Sequence, residues 1–278
     1  EHVVHYLQVT VKDPSHWETD WSLLWDIEGY KWNGALPLSQ PLVPFFTLFI
    51  YLNIIFFLQF LMKNRQEWNT NVISAIHNLI LTFWSLAMCV GTGYYAFSRA
   101  IDYGSWTQLV CEHSSAPSDG PLYFIGYWYY LSKYYELLDT IILCLRKRPL
   151  TVLHVYHHSV VILLTYLWVA SDYSLFWWTV WLNTMVHVFM YFYFFMVSLK
   201  RRVPNFLKKM LTRGQITQFC VFGIVACLNV YFTVQNFQFN FENVVPANGD
   251  EIGTVVNLSY SYVHSCKGSL WILAVSIL

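Results

Sequence analysis

Residues 149–169 read PLTVLHVYHHSVVILLTYLWV, an apolar run with three histidines close to its start. A helix of about 20 mostly apolar residues spans the roughly 30 Å of hydrocarbon in a bilayer. This stretch therefore predicts a membrane-spanning helix whose first turns carry imidazole rings. Five other runs of comparable length and apolarity surround it, at residues 43–62, 72–97, 121–145, 174–199 and 215–235.

The composition of the whole chain also indicates a membrane protein. Of the 278 residues, 56% are hydrophobic and 12% are charged, whereas soluble domains usually carry about 25% charged residues. The net charge is zero, which gives no electrostatic case for binding nucleic acid. We therefore predict an all-α integral membrane protein.

A further apolar run begins at Leu270 and has nine residues before the sequence ends. We expect it to be a seventh span that is cut short, and a seven-helix membrane domain over residues 43–278. Three loops, at residues 63–71, 146–148 and 200–214, carry eleven of the 16 basic residues. The positive-inside rule places these loops in the cytosol and the segment 1–42 on the far side.

Two cysteines, Cys111 and Cys266, fall in the predicted non-cytosolic loops, whereas the other four lie inside spans. If the membrane is that of the endoplasmic reticulum, those loops face an oxidising compartment. We therefore predict a disulfide between Cys111 and Cys266, with two free thiols as the alternative. Asn257 opens a glycosylation sequon on the same side.

Charged and polar side chains interrupt several spans. Lys133, Glu136 and Asp139 lie on one stripe of the third predicted helix, and charges inside a membrane usually mark a functional cavity. The alternative is an ion pair that only holds helices together. His154, His157 and His158 fill an arc of about 100° on the next helix. Polar residues recur in the following two spans, at Asn183, His187, Tyr191, Gln215 and Gln218.

All these residues lie between the middle of the membrane and the end that carries the basic loops. The far halves of the same helices are apolar and aromatic. This pattern predicts a pocket with a polar mouth and an apolar blind end, suited to a substrate with a polar head and a long apolar tail. For His77 and Asn78, in the second span, hydrogen bonding between helices is the favoured interpretation.

Four ordered motifs of the chain resemble those of the very-long-chain fatty acid elongases. They are Lys133-Tyr-Tyr-Glu136-Leu-Leu-Asp139-Thr140 followed by Arg146-Lys147-Arg148, the histidine box His154-Val-Tyr-His157-His158, Asn183-Thr-Met-Val-His187-Val-Phe-Met190-Tyr191-Phe-Tyr193, and Thr212-Arg213-Gly-Gln215-Ile-Thr-Gln218-Phe219. The resemblance covers about residues 72–278. Phe194 departs from it, because the family often has another tyrosine there.

The resemblance implies a 3-oxoacyl-CoA synthase that condenses long-chain acyl-CoA with malonyl-CoA and releases CO2 and CoA. It implies a seven-helix bundle around an acyl-CoA tunnel, in the endoplasmic reticulum membrane, with the site facing the cytosol. It implies no metal and no cofactor. The reductase, dehydratase and enoyl reductase of the elongation cycle would be separate partner proteins, and homodimerisation stays open.

Within this reaction we expect His157 to be the nucleophile, because imidazole attacks thioesters to give an acyl-imidazole. His158 and His154 are the alternatives, and His187 would act on malonyl-CoA as an acid, a base or an oxyanion partner. A rival mechanism has no acyl-enzyme, and the box then polarises both substrates.

Other polar residues are given supporting roles. Asn183, Tyr191 and Gln215 are predicted hydrogen-bond donors, and the three charged residues of the third span would set the local field. The full supporting set is Asn183, Tyr191, Gln215, Gln218, Lys133, Glu136 and Asp139. The residues predicted to bind CoA phosphates are Arg146, Lys147, Arg148 and Arg213.

Two other functional classes are weighed against this reaction. A non-haem di-iron desaturase or hydroxylase also uses membrane histidine boxes, but it needs about eight ligands from several boxes. A seven-helix receptor, a retinal protein or a transporter fits the helix count. However, a receptor, a retinal protein or a transporter does not explain the histidine box.

Overall fold

The computed structural model describes residues 19–112, 116–235, 239–243, 256–260 and 266. Its helices are α1 (Val43–Met62), α2 (Asn71–Asp102), α3 (Pro121–Leu145), α4 (Val152–Ala170), α5 (Phe176–Ser198) and α6 (Asn205–Gln235). Two short strands, β1 (Phe239–Asn243) and β2 (Val256–Tyr260), pair antiparallel, with Phe239 opposite Tyr260. Short 3-10 turns occur at Trp21–Leu24 and Trp106–Leu109.

Five of these helices are long and apolar enough to cross a membrane, namely α1, α2, α4, α5 and the Asn205–Thr233 part of α6. The chain is therefore a multi-pass membrane protein, as predicted. Helix α3 has 25 residues but carries three charged side chains in its second half, which lowers its apolarity. The apolar run that begins at Leu270 lies outside the described residues, so the described part of the chain contains six helices of the seven predicted.

Three loop predictions were wrong in part, two at an edge and one in its interior. Helix α6 begins at Asn205 rather than at residue 215, so Lys208, Lys209 and Arg213 lie on a helix. Lysine and arginine are good helix formers, and a hydropathy scan finds only the apolar part of such a helix. For the same reason α2 continues past Arg99 to Asp102. The strands β1 and β2 lie in a stretch that we predicted to be a loop, because hydropathy does not detect short strands.

The turn between α3 and α4 fixes where the histidine-rich helix begins. Helix α3 ends at Leu145, and Lys147 then takes the left-handed backbone conformation at φ +52°. Thr151 caps α4, because its Oγ1 accepts a hydrogen bond of 3.2 Å from the backbone N–H of His154. The end of the bundle that carries this turn is called the basic end below, and the other end the opposite end.

Helix α3 is central, because it packs against α1, α2, α4 and α5. Its approach to α5 depends on Gly126, where an added Cβ would lie 2.7 Å from the ring of Phe176. Helices α2 and α5 form the most extensive pair of the bundle. At the opposite end, buried aromatic side chains from α3, α4 and α5 form the main core, among them Tyr127, Tyr130, Tyr166, Trp168 and Trp177.

Residues 19–42 cover this core at the opposite end. The hydroxyl of Tyr127 donates to the carbonyl of Pro37 and the hydroxyl of Tyr130 to that of Leu38, both at 2.9 Å. Tyr30 is itself buried in the core. The segment is therefore anchored to α3 by buried hydrogen bonds. Its boundary at residue 42 and its compartment stay predictions.

The structure joins Cys111 and Cys266 in a disulfide, the pair that the sequence analysis selects. Both cysteines are buried. The adjacent carbonyl of Val110 accepts a hydrogen bond of 2.7 Å from Asn229 Nδ2 of α6. The disulfide therefore connects the segment after α2 to Cys266, which lies beside Asn229 near the end of α6.

Replacing Cys111 by serine is expected to lower the free energy of unfolding by about 2–4 kcal/mol, because the disulfide closes a very long loop in the unfolded chain. The two cysteines are 155 residues apart. Thermal unfolding in detergent measures the loss. Cys266→Ser should give the same loss and the double variant no more, whereas Cys220→Ser, at an exposed free cysteine, should change little. Unfolding of Cys111→Ser at the wild-type temperature would contradict the prediction.

Candidate active site

A cavity of about 610 Å³ lies at the basic end, between helices α2 to α6. It gathers polar residues that are far apart in the sequence. Eleven of the predicted site residues line it: Glu136, Asp139, Arg146, His154, His157, His158, Asn183, His187, Tyr191, Gln215 and Gln218. With His77, which also lines it, the cavity is thus surrounded by imidazoles from three helices, two carboxylates and several amides.

Four of the predicted site residues do not line the cavity. Lys133 lies buried behind its wall. Lys147 donates from Nζ to the carbonyls of Lys63, at 3.3 Å, and Arg65, at 3.0 Å, so it holds the α1–α2 loop. Arg148 and Arg213 are exposed outside the lining. Of the four residues predicted to bind CoA, only Arg146 therefore reaches the cavity wall.

The three box histidines have different surroundings. Nε2 of His154 is hydrogen-bonded to Oγ1 of Thr140 at 2.8 Å, and Thr140 is in turn 2.9 Å from the hydroxyl of Tyr51 on α1. His158 is buried, and its ring centroid lies 4.5 Å from that of His154. His157 is exposed and makes no hydrogen bond to another described residue. It is therefore the box histidine that is most open to a substrate.

A buried ion pair supports the other wall. Nζ of Lys133 lies 2.7 Å from Oε1 of Glu136 and 4.1 Å from the ring centroid of Tyr129. Oδ1 of Asn183 accepts from the Tyr129 hydroxyl at 2.9 Å and from Lys133 at 3.4 Å. Because two donors engage this oxygen, the amide NH2 group of Asn183 remains for the cavity. Nδ1 of His187 lies 3.7 Å from Oε1 of Glu136, beyond hydrogen-bond distance.

Asp139 joins three helices. Its Oδ1 lies 2.9 Å from Nε2 of His77 on α2, and its Oδ2 accepts from the hydroxyl of Tyr191 on α5 at 3.0 Å. The interhelical hydrogen bond expected for His77 is confirmed. Since the proton of Tyr191 points at Asp139, it is not aimed at a substrate oxygen here, which differs from the donor role predicted for Tyr191.

Among the described residues, the opposite half of the bundle contains the aromatic core. The cavity lining includes none of Trp177, Trp178 and Trp181, which lie in the far half of the predicted span 174–199, where we expected the apolar blind end. These rings pack in or against the aromatic core, and the centroids of Trp177 and Trp178 are 4.6 Å apart. Large aromatic side chains fill space by packing on one another. These three tryptophans therefore belong to the aromatic core and do not border the described cavity.

Comparison with known proteins identifies the family. The sequence profile of the ELO family, described as the GNS1/SUR4 family, matches residues 36–278. The chain belongs to the ELO family. It is 41% identical over 226 residues to a putative fatty acid elongase of Dictyostelium discoideum, covering 81% of this chain and 74% of that protein. The resemblance to the elongases is thereby confirmed.

Relatives of this ELO protein occur in distant organisms. It is 33% identical to the long chain fatty acid elongase 1 of Caenorhabditis elegans, over 69% of this chain and 67% of the relative. It is 34% identical to the very long chain fatty acid elongase 5 of Mus musculus, over 72% of this chain and 67% of the relative. These homologues support an enzyme of fatty acid elongation.

The site of this ELO protein also contains residues that the sequence analysis did not assign to it. Besides His77, the cavity is lined by Ser74, Asn78, Met190 and Ser198. Nδ2 of Asn78 donates to Oγ of Ser198 at 3.4 Å. The spacing of Ser74, His77 and Asn78 on one helical face is the signal that could have selected them. Phe194, which departs from the family motif, also lies in the cavity wall.

Proposed function

We propose that this ELO family member condenses long-chain acyl-CoA with malonyl-CoA and releases 3-oxoacyl-CoA, CO2 and CoA. The observation that carries the proposal is the cavity at the basic end, in which box histidines on α4 face His187 and Asn183 on α5. A thioester can meet a nucleophilic imidazole and hydrogen-bond donors in this one space. The names of the relatives support a long-chain acyl substrate.

The first step is transfer of the acyl group to His157. A ring nitrogen attacks the thioester carbonyl carbon, the C–S bond breaks, and CoA leaves as a thiolate that takes up a proton. The acyl group then remains on the imidazole. His157 suits this step because it is exposed and has no hydrogen bond to another described residue. The amide of Asn183 is the donor assigned to the oxyanion.

The second step forms the new carbon–carbon bond. Malonyl-CoA loses its free carboxyl group as CO2, and the electrons of the broken bond form the enolate of acetyl-CoA. This carbon attacks the acyl carbonyl, and the imidazole of His157 leaves. We assign His187 to the malonyl thioester, as an acid, a base or an oxyanion partner. In the rival mechanism no acyl-enzyme forms, and the histidines polarise both substrates.

The proposal includes how the substrates and the protein are placed. Arg146 binds CoA phosphates at the cavity wall, with Lys147, Arg148 and Arg213 near the mouth. The acyl tail points toward the opposite end, where a tunnel and a seventh helix from Leu270 complete the domain 43–278. The basic end faces the cytosol from the endoplasmic reticulum membrane, no cofactor takes part, and separate enzymes carry out the later reductions and dehydration.

The di-iron alternative has less support. Among the described residues, no group of three or more His, Cys, Asp or Glu side chains is arranged to hold a metal ion. A di-iron centre needs about eight ligands, more than such a group of three would supply. The relatives compared above are named as fatty acid elongases.

Purified protein in detergent tests the proposal, with acyl-CoAs from palmitoyl to lignoceroyl and malonyl-CoA labelled in its free carboxyl group. We expect a 3-oxoacyl-CoA two carbons longer than the acyl substrate by mass spectrometry, with the label released as CO2 in equal amount. Acetyl-CoA in place of malonyl-CoA should give no product, because decarboxylation drives the condensation. No product from folded protein with any acyl-CoA of the series would overturn the proposal.

A further inference from the structure

A histidine outside the box lies in the same cavity. His77 on α2 is 4% exposed and lines the cavity beside Asp139. Its ring stacks on Tyr135 at a centroid distance of 5.0 Å. Nδ1 of His77 is buried and has no hydrogen-bond partner among the described residues, whereas Nε2 lies 2.9 Å from Asp139 Oδ1. Since only Nε2 faces an acceptor, we assign the Nε2–H group as the donor to the carboxylate.

The carboxylate of Asp139 connects His77 to helix α5, which carries His187. Its second oxygen accepts from the hydroxyl of Tyr191 at 3.0 Å. The ring of Tyr191 meets the ring of His187 edge-on, with centroids 5.3 Å apart. A continuous chain of contacts therefore runs from α2 through α3 to His187 on α5.

We propose that His77 is a positioning residue of the condensation. By holding one oxygen of Asp139, it keeps the other oxygen on Tyr191 and the Tyr191 ring against His187. A carboxylate that loses one of its two donors rotates more freely, and the ring beside His187 then loses its fixed support. The inference rests on the proposed function, with His187 acting on malonyl-CoA. Small displacements of reacting groups cost rate far more than binding.

Two substitutions of His77 differ in whether they keep the hydrogen-bond donor to Asp139. The amide nitrogen of glutamine occupies the place of Nε2, and that of asparagine the place of Nδ1. His77→Gln therefore keeps the donor to Asp139, and His77→Asn removes it. We expect kcat for 3-oxoacyl-CoA formation to fall about 10- to 100-fold in His77→Asn but to stay within about threefold in His77→Gln. The KM for malonyl-CoA should change by less than about threefold in both.

Two further variants separate positioning from stability. Met88→Ala, at a buried core residue of α2 outside the cavity lining, should lower the unfolding temperature without lowering kcat. In a Tyr191→Phe background, His77→Asn should cause little further loss of single-turnover product, because the contact through which it acts is already gone.

Three results would overturn the inference while wild-type protein makes product: a wild-type kcat in His77→Asn, a glutamine variant as slow as the asparagine variant, or losses that multiply in the double variant. Wild-type protein that makes no product would overturn the inference and the proposed function together.

Discussion

Replacing His157 by alanine is expected to lower the rate of 3-oxoacyl-CoA formation by at least about 10³-fold, because it removes the nucleophile of the proposed first step. His157 is exposed on α4, so its loss removes little buried contact. The unfolding temperature should therefore stay close to that of the wild type. Product formation and thermal unfolding, measured on the same preparation, separate the loss of chemistry from a loss of fold.

Intact mass identifies the intermediate behind this loss. Wild-type protein incubated with acyl-CoA alone should gain the mass of one acyl group, and His157→Ala should not. Tyr156→Ala is the matched control, because Tyr156 neighbours His157 on α4 but lies outside the cavity lining. An adduct mapped to His158 or His154 would identify that histidine as the nucleophile instead of His157. Active wild-type protein that never carries an adduct would favour the mechanism without an acyl-enzyme.

Replacing Glu136 by alanine is expected to lower the free energy of unfolding by about 3–5 kcal/mol, because it leaves a buried ammonium without its partner. Lys133 is 2% exposed, and Glu136 Oε1, at 2.7 Å, is its nearest anionic group. The Tyr129 ring and Asn183 Oδ1 remain near the ammonium, but neither carries a full charge. Thermal unfolding in detergent measures the loss.

A double variant tests whether the unpaired charge is the cause. Lys133→Met with Glu136→Leu removes both charges and keeps an apolar volume, so it should recover most of the stability that Glu136→Ala loses. It should still form little product, because Lys133 no longer donates to Asn183, the residue assigned to the oxyanion. Equal losses in the two variants would assign the effect to packing, and no loss in Glu136→Ala would contradict the prediction.

Hydropathy was enough to place most helices. The predicted spans 43–62 and 121–145 coincide with α1 and α3, because a proline lies in the first turn of each run and a basic residue follows its end. Hydropathy failed to place the helix ends where a helix extends beyond its apolar run into charged residues. Lys208 and Lys209 belong to α6, and Arg99 belongs to α2. There Arg99 forms an ion pair with the buried Glu112 at 2.6 Å. Hydrophobic periodicity does not predict this contact.

Helical spacing was enough to select many of the site residues. His154, His157 and His158 had to share one face of α4, and Asn183, His187 and Tyr191 one face of α5, whatever packed against them. It did not settle what each side chain does. The proton of Tyr191 is engaged by Asp139, and Lys147 holds a loop rather than the cavity wall.

The sequence by itself determined a multi-pass helical membrane protein with three clustered histidines on one face of α4, because apolar run lengths and helical spacing are local properties of the chain. Only the tertiary structure decided which helices face one another. It brought His77 to Asp139 and Lys133 to Asn183, and it packed aromatic rings together in the opposite half. These contacts depend on how α2, α3 and α5 are rotated and spaced, which the close packing of side chains from several helices sets together.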